Sequence, residues 1–188
     1  MIKRVKTKAK AALQGNWLGA ILAFLLFLLL SAALDATAIG VLLSGVLVFG
    51  YASFHLELVK TKKATLGAFF GGMFGHFFKK WAASLLVGLY TFLWSLLLLI
   101  PGLIKSYAYA MTPYIMQEKP KMGINEAITR SREMMDGHKW QLFMLDLSFI
   151  GWMLLSVLTL GIALVYVWPY YQAARAEFYK QIKKGSKK

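Results

Sequence analysis

The chain has 188 residues, of which 59% are hydrophobic, and it carries a formal net charge of +14 with no cysteine. Its mean hydropathy is +0.57. Soluble domains carry about 45–50% apolar residues. Here the excess is gathered in long runs, which indicates membrane spans rather than a large soluble core. The basic residues lie between those runs, which favours the anionic inner leaflet of a membrane over nucleic acid as a partner.

Six apolar segments follow one another along the chain, at 17–34, 38–59, 81–100, 103–117, 142–158 and 162–178. A span needs about 20 apolar residues, and the fourth segment is the weakest because it contains Lys105 and Pro113. If all six segments cross the membrane, 21 of the 22 Lys and Arg residues fall on one side, and only Lys105 falls on the other. Lys and Arg are retained in the cytoplasm, so we expect both termini to be cytoplasmic. A five-span chain would separate the termini.

Two sets of residues recur along the chain and indicate an internal repeat. Each expected unit is a short amphipathic helix at the cytoplasmic interface, followed by a hairpin of two spans. The sequence therefore predicts one all-α, polytopic membrane domain over residues 1–188, with six transmembrane helices arranged as three hairpin repeats. The repeats are unit 1 at about 1–60, unit 2 at about 61–121 and unit 3 at about 122–188. The recurring residues are Gly15 with Trp17, Gly75 with Trp81, Gly137 with Trp140, and then Gly50-Tyr51, Pro113-Tyr114 and Pro169-Tyr170.

The segments before the three tryptophans have the features of helices lying on the inner leaflet. In the third segment, apolar residues between Ile124 and Met135 share one helical face, with charges opposite. In the second segment, Gly67, Gly71 and Gly75 are spaced by four and would leave a bare stripe for close helix contact. We expect the three tryptophans to form an inner aromatic belt.

Several motifs resemble those of a known family. They are Ile-Pro-Gly at 100–102, Asn-Glu-Ala-Ile-Thr-Arg-Ser-Arg-Glu-Met-Met-Asp-Gly-His-Lys-Trp at 125–140, Leu-Asp-Leu-Ser-Phe-Ile-Gly-Trp at 145–152 and Trp-Pro-Tyr-Tyr at 168–171. With these and Ala-x-x-x-Leu-x-Gly-Asn-Trp at 9–17, the chain resembles a bacterial integral-membrane family known only as domain of unknown function nine-seven-five. The resemblance implies a protein of the bacterial cytoplasmic membrane, and it brings no activity, cofactor or catalytic residue.

Asp146 and Arg175 are ionisable residues inside the fifth and sixth apolar segments. An ionisable group at such a position is costly and normally faces a partner or water. One interpretation is a structural ion pair that joins the last hairpin, and another is a relay for protons or cations. A third is that Asp146 simply reaches the membrane interface.

The residues Tyr51, Pro113, Tyr114, Pro169 and Tyr170 mark a kink or a cavity in the even-numbered spans. Proline removes a backbone hydrogen bond and bends a helix. Broken helices at mid-membrane mark substrate sites in transporters, but kinks also serve plain packing. Both interpretations stay open on the sequence alone.

No enzyme motif is present, and the three histidines are not at ligand spacing, so we expect no enzyme, no cofactor and no metal site. The first hypothesis is a non-enzymatic integral membrane protein that acts as an interaction, scaffold or accessory subunit. Its partners would be lipids of the anionic inner leaflet and a membrane protein or a second copy of the chain. The alternative is a small oligomeric transporter or channel that uses the kinked helices and Asp146. A cavity near Tyr114, Tyr170 and Asp146 would favour the transporter, and a solid bundle with an amphipathic groove would favour the interaction protein.

Overall fold

The computed structural model describes residues 1–97 and 99–185, and this part of the chain is helical with no strand. Residue 98, in the third expected span, and the basic residues Lys187 and Lys188 lie outside the described residues. The expected all-α class is confirmed. The helices are α1 Ile2–Leu13, α2 Trp17–Asp35, α3 Ala38–Thr61, α4 Leu66–Phe74, α5 Phe77–Leu97, α6 Leu99–Tyr109, α7 Thr112–Glu118, α8 Ile124–Met134, α9 Lys139–Leu147, α10 Ile150–Leu158 and α11 Leu164–Gly185.

Within the described residues, three stretches are long and apolar enough to cross a membrane: Trp17–Asp35, Leu42–Thr61 and Lys139–Leu158. They coincide with the first, second and fifth expected spans. The fourth expected span is divided into α6 and α7, and the fifth is divided into α9 and α10. The described part of the chain is therefore all-helical, with three candidate membrane spans.

Large apolar side chains are exposed on the outside of the long helices. Leu18 and Leu29 on α2, and Val157 and Leu158 on α10, are each more than two-thirds exposed. Contiguous apolar surface of this kind requires lipid or another protein to cover it. The surface therefore agrees with a membrane protein.

The short helix α4 packs closely along α3 through two glycines. A Cβ atom on Gly72 would lie 2.3 Å from Ser53 Cβ, and one on Gly50 would lie 2.8 Å from the Phe69 carbonyl oxygen. The expected glycine stripe is not the contact, because a Cβ on Gly71 would meet nothing within 4 Å. Spacing by four defines a face of α4, but it does not say which face meets α3.

The short helices α1 and α8 also pack alongside longer helices, on the apolar faces that the sequence analysis expects to meet a leaflet. Tyr170 of α11 donates a hydrogen bond to the Lys6 carbonyl of α1, at 3.3 Å. Ser131 of α8 donates to the Ala108 carbonyl at 2.8 Å and accepts from the Met111 amide at 3.2 Å. The apolar faces of these helices are therefore buried against protein.

The expected aromatic belt is also wrong, because Trp17 and Trp81 lie at opposite ends of α3. Asn16, next to Trp17, donates to the Lys62 carbonyl at 2.7 Å, just after α3 ends. Trp81 donates from its indole nitrogen to the Leu42 carbonyl at 3.1 Å, near the start of α3. About 20 helical residues separate these two carbonyls, which corresponds to about 30 Å. The cause is α4, which runs back along α3 before α5 begins.

The core lies where α11 meets α1 and α3. On α11, Ala173, Ala174 and Ala176 are fully buried. Small side chains allow neighbouring helices to approach closely. This packing holds the intervening residue, Arg175, at the junction with α7 and α9.

Candidate functional site

Five residues from four helices form a group that we call the Asp146 cluster: Tyr107 of α6, Tyr114 of α7, Asp146 of α9, and Tyr171 and Arg175 of α11. Arg175 Nε lies 4.0 Å from Asp146 Oδ1, and the two side chains are 25% and 20% exposed. The guanidinium carbon lies 5.5 Å from the centroid of the Tyr171 ring. The hydroxyl groups of Tyr107 and Tyr171 interact with the Asp146 carboxyl group.

The ion pair in this cluster is long and only partly satisfied. A separation of 4.0 Å exceeds hydrogen-bond distance. Asp146 Oδ1 is buried without a hydrogen-bond partner among the described residues. The arrangement can tie α9 to α11, and it also leaves one carboxylate oxygen available to a proton or a water molecule.

The structure interrupts one of the three even-numbered spans at its recurring residue. The helix breaks between α6 and α7 immediately before Pro113, which occupies the first turn of α7. Proline is well tolerated there because the first-turn amides have no helical partner. Helix α3 continues through Tyr51, and α11 continues through Pro169.

A short helix packs at or beside each recurring position. Gly50 contacts α4, as described above. Met111, two residues before Pro113, donates its amide to Ser131 of α8. Tyr170, next to Pro169, donates to the α1 backbone. In this structure these positions serve as packing sites for neighbouring helices.

The tyrosines at these positions do not all converge on one point, although Tyr51 interacts with Tyr114. Tyr114 is 5% exposed and stacks on Tyr179, with ring centroids 5.3 Å apart. Tyr51 lies edge-on to His55, with centroids 4.4 Å apart. Tyr170 packs against Phe149 at 5.1 Å, on the side of α1. The structure therefore brings Tyr114 to the Asp146 cluster and places Tyr170 elsewhere.

Three buried polar groups on α3 and α7 lack hydrogen bonds among the described residues: His55 Nε2, Tyr51 OH and Thr112 Oγ1. His55 and Thr112 are fully buried, and His55 Nδ1 lies 3.0 Å from the Tyr51 carbonyl. An unpaired buried polar group costs about 1–3 kcal/mol, and water commonly satisfies it. The only sequence signal for this feature is a histidine within an apolar segment.

A carboxylate that the sequence did not single out joins three helices. Glu118, at the end of α7, accepts from Lys60 of α3 and from Lys183 of α11. Tyr179 of α11 donates to the same carboxylate at 2.6 Å. Burial raises the pKa of Glu118, but the hydrogen bonds from Lys183, Lys60 and Tyr179 outweigh it and lower the pKa to about 2. We call these four residues the Glu118 clasp.

A second polar junction joins α3, α4, α5 and α7. Gln117 donates to the Phe49 carbonyl at 2.7 Å and to the Gly72 carbonyl at 2.9 Å. Lys80 donates to the same Gly72 carbonyl at 2.5 Å. The junction therefore fixes the glycine contact between α3 and α4.

These features define an all-helical protein with apolar candidate spans, joined internally by buried polar contacts. In the described part of the chain, no three His, Asp or Glu side chains lie together as a metal site requires. The family model described as "Protein of unknown function (DUF975)" matches residues 96–186, slightly less than half of the chain. Over this segment the chain matches that family, so the expected resemblance is confirmed there. No curated protein and no solved structure matches the chain.

Proposed function

We propose that the protein is a non-enzymatic integral membrane protein of the bacterial cytoplasmic membrane, acting as a scaffold or accessory subunit. The observation that carries this proposal is the helix packing at the three recurring positions, Gly50, Pro113 and Pro169. Each one holds a short helix of the next unit, and Tyr114 is stacked within the core. Exposed apolar side chains on α2 and α10 offer surface to lipid or to a partner.

The proposed architecture is a closed ring of three units. Helix α1 of unit 1 packs on α11 of unit 3, α4 of unit 2 packs on α3 of unit 1, and α8 of unit 3 packs on α7 of unit 2. This is the head-to-tail contact that closes a ring. A residue with positive φ also follows each short helix: Gly15 at 80°, His76 at 57° and Gly137 at 68°. Both observations support the repeat.

The proposed topology has six spans with both termini cytoplasmic. The three candidate spans and the charge distribution support it. The hairpin of α5 and α6 has the weakest support, because Trp81, near the start of α5, lies at the opposite end of α3 from Trp17. Lys105, expected alone on the outer side, stacks over Trp94 at 4.2 Å and shares a cleft with Arg132 of α8.

Because the chain has no cysteine, single-cysteine variants test the topology directly. We expect Thr37→Cys and Thr159→Cys to react with a membrane-impermeant maleimide added outside intact spheroplasts. Thr7→Cys should react only after permeabilisation. Ser106→Cys tests the second hairpin: labelling from outside supports six spans, whereas labelling only after permeabilisation leaves α5 and α6 on the inner side.

The functional class is tested with purified protein in proteoliposomes. We expect no flux of H⁺, Na⁺ or K⁺ above that of empty vesicles. A photo-crosslinker replacing the exposed Leu158 should instead capture a second copy or one membrane protein from native membranes. The same group replacing the exposed, basic Lys3 is the control. Ion flux abolished by Asp146→Asn would overturn the scaffold proposal.

The alternative function is a small transporter or channel, and one observation favours it. Among the residues that the structure describes, buried polar atoms without hydrogen bonds occur on α3, α7 and α9, at Tyr51, His55, Thr112 and Asp146. Such atoms are the groups that line a hydrated path. The flux assay separates the two functions.

A further inference from the structure

A cleft of about 410 Å³ opens where α1 and the start of α2 meet α10 and α11. It combines two lysines with four aromatic residues, and no carboxylate lines it. Ligand sites are typically about 300–1,000 Å³. The lining residues are Lys6, Lys10, Trp17, Trp152, Tyr166, Val167 and Tyr170.

The two lysines differ in how firmly they are held. Lys6 Nζ donates to Ser148 through its carbonyl at 3.1 Å and its hydroxyl at 3.2 Å. The same ammonium lies 4.2 Å from the centroid of the Phe149 ring. Burial lowers the pKa of Lys6, so an anion in the cleft would offset the cost of desolvating that charge. Lys10, one turn further along α1, is exposed and free to turn towards a ligand.

The aromatic residues of the cleft are unusually open. Trp152 is 54% exposed and Tyr166 is 59% exposed. The rings of Trp17 and Tyr166 lie 6.1 Å apart. Indole and phenol groups have an apolar body and a polar donor, and they concentrate at the level of lipid headgroups. Next to them, α10 continues as exposed apolar surface through Leu155 and Leu158.

A comparison cleft lies between the short helix of unit 3 and the hairpin of unit 2. It has a volume of about 440 Å³ and contains Lys105, Arg132 and Lys139. It also contains Glu133 and Asp136, and Asp136 lies 3.7 Å from Lys139. These carboxylates would repel an anion, whereas nothing in the α1 cleft does.

We propose that the α1 cleft binds the phosphate headgroup of an anionic phospholipid, with Lys6 and Lys10 as its cationic contacts. Trp152 and Tyr166 lie against the glycerol region, and the acyl chains follow the apolar face of α10. This inference rests on the proposal that the protein is an integral membrane protein and not on the six-span topology, because Lys6 contacts Ser148 midway along the candidate span Lys139–Leu158. The cleft has lysines and no lining carboxylate, which favours an anionic headgroup. The exposed apolar face of α10 beside the cleft favours a lipid over free phosphate.

The test is thermal unfolding of the purified protein in detergent, followed by tryptophan fluorescence. The probes are dioctanoyl-phosphatidylglycerol, dioctanoyl-phosphatidylcholine and inorganic phosphate. We expect saturable stabilisation by phosphatidylglycerol alone. One basic contact contributes a factor of about five, so Lys10→Gln should raise the half-saturating concentration about fivefold, and Lys6→Gln with Lys10→Gln about thirtyfold. Lys3→Gln, an exposed lysine on the same helix outside the cleft, should change it less than about twofold.

Three outcomes would overturn the proposal. Equal stabilisation by phosphatidylcholine would show that the headgroup charge is not recognised. Equal stabilisation by inorganic phosphate would make the ligand an ion rather than a lipid. If Lys3→Gln and Lys10→Gln raised the half-saturating concentration equally, binding would depend on the overall charge of α1 and not on the cleft. The Lys10 side chain makes no hydrogen bond or ion pair among the described residues, so Lys10→Gln should fold normally. That variant therefore still tests the proposal if Lys6→Gln fails to fold. Cysteine labelling tests the membrane placement independently.

Discussion

The Glu118 clasp provides the sharpest prediction about stability. Its carboxylate is only 10% exposed and holds Lys60 of α3 and Lys183 of α11. Glu118→Gln keeps the shape of the side chain and removes its charge. The two ammonium groups would then lose their counter-charge at the point where three helices end. We therefore expect the variant to be less stable than the wild type at neutral pH.

The magnitude follows from the pKa of Glu118, which is lowered from 4.5 to about 2. Such a difference corresponds to about 3 kcal/mol of folding free energy. The side chains of Lys60 and Lys183 are 41% and 37% exposed, so water screens part of this interaction. A stabilisation of about 2 kcal/mol remains, which is about 4–8 °C in Tm for a chain of this size.

The pH dependence fixes the sign of the effect. A carboxyl group whose pKa is lowered on folding stabilises the protein fully above its unfolded pKa. That stabilisation is lost as the pH falls towards the folded pKa. The Tm difference between wild type and Glu118→Gln should therefore be constant from pH 7 to about 5. It should shrink between about 4.5 and 2.

The assay is fluorescence-monitored unfolding in detergent over this pH range. Glu133→Gln is the control, because Glu133 is an exposed acid with no described ion pair. Equal Tm values for wild type and Glu118→Gln at pH 7 would refute the clasp. A difference that persists unchanged at pH 2 would also refute it, because charge would then not be the cause.

Three further predictions concern the same unfolding assay. Asp146→Ala and Arg175→Ala should each lower stability by about 2 kcal/mol, with the double variant losing about 1 kcal/mol less than their sum; strict additivity would mean that the pair is not coupled. Gly72→Ala should destabilise by about 1–3 kcal/mol, because its Cβ would lie 2.3 Å from Ser53, whereas Gly71→Ala, with open space, should be neutral or stabilising. Equal effects at the two glycines would contradict the close α3–α4 contact. Trp81→Phe removes one hydrogen bond to α3 and should cost about 1 kcal/mol, so an unchanged Tm would argue against that bond.

The helices of this chain can be predicted from the sequence to a large extent. The expected first span, 17–34, is α2 to within one residue, and the second expected span differs from α3 by two residues at its end. Apolar runs of this length leave few alternatives to a helix. The break before Pro113 also follows from local chemistry, because proline favours the first turn of a new helix.

The contacts between helices could not be predicted, because they depend on which faces meet. Glu118 is one of several charges at the end of an apolar segment, and nothing local indicates that Lys60 and Lys183 converge on it. The Asp146–Arg175 pairing can be predicted, because a short turn joins the fifth and sixth apolar segments, which carry these two residues. The sequence did not reveal the long 4.0 Å separation or the two tyrosines beside the carboxyl group.

The proposed ring of units gives one physical reason why the recurring residues are of different types. In that proposal each position accepts a helix from the next unit, and the three positions do so in different ways. Gly50 removes a side chain so that α4 can approach, at Pro113 the helix is interrupted so that the Met111 amide can reach Ser131, and beside Pro169 the Tyr170 hydroxyl reaches the α1 backbone. A transporter kink would instead expose backbone groups to a cavity. Because a neighbouring helix occupies each of these positions, the contacts support assembly of the proposed ring over transport.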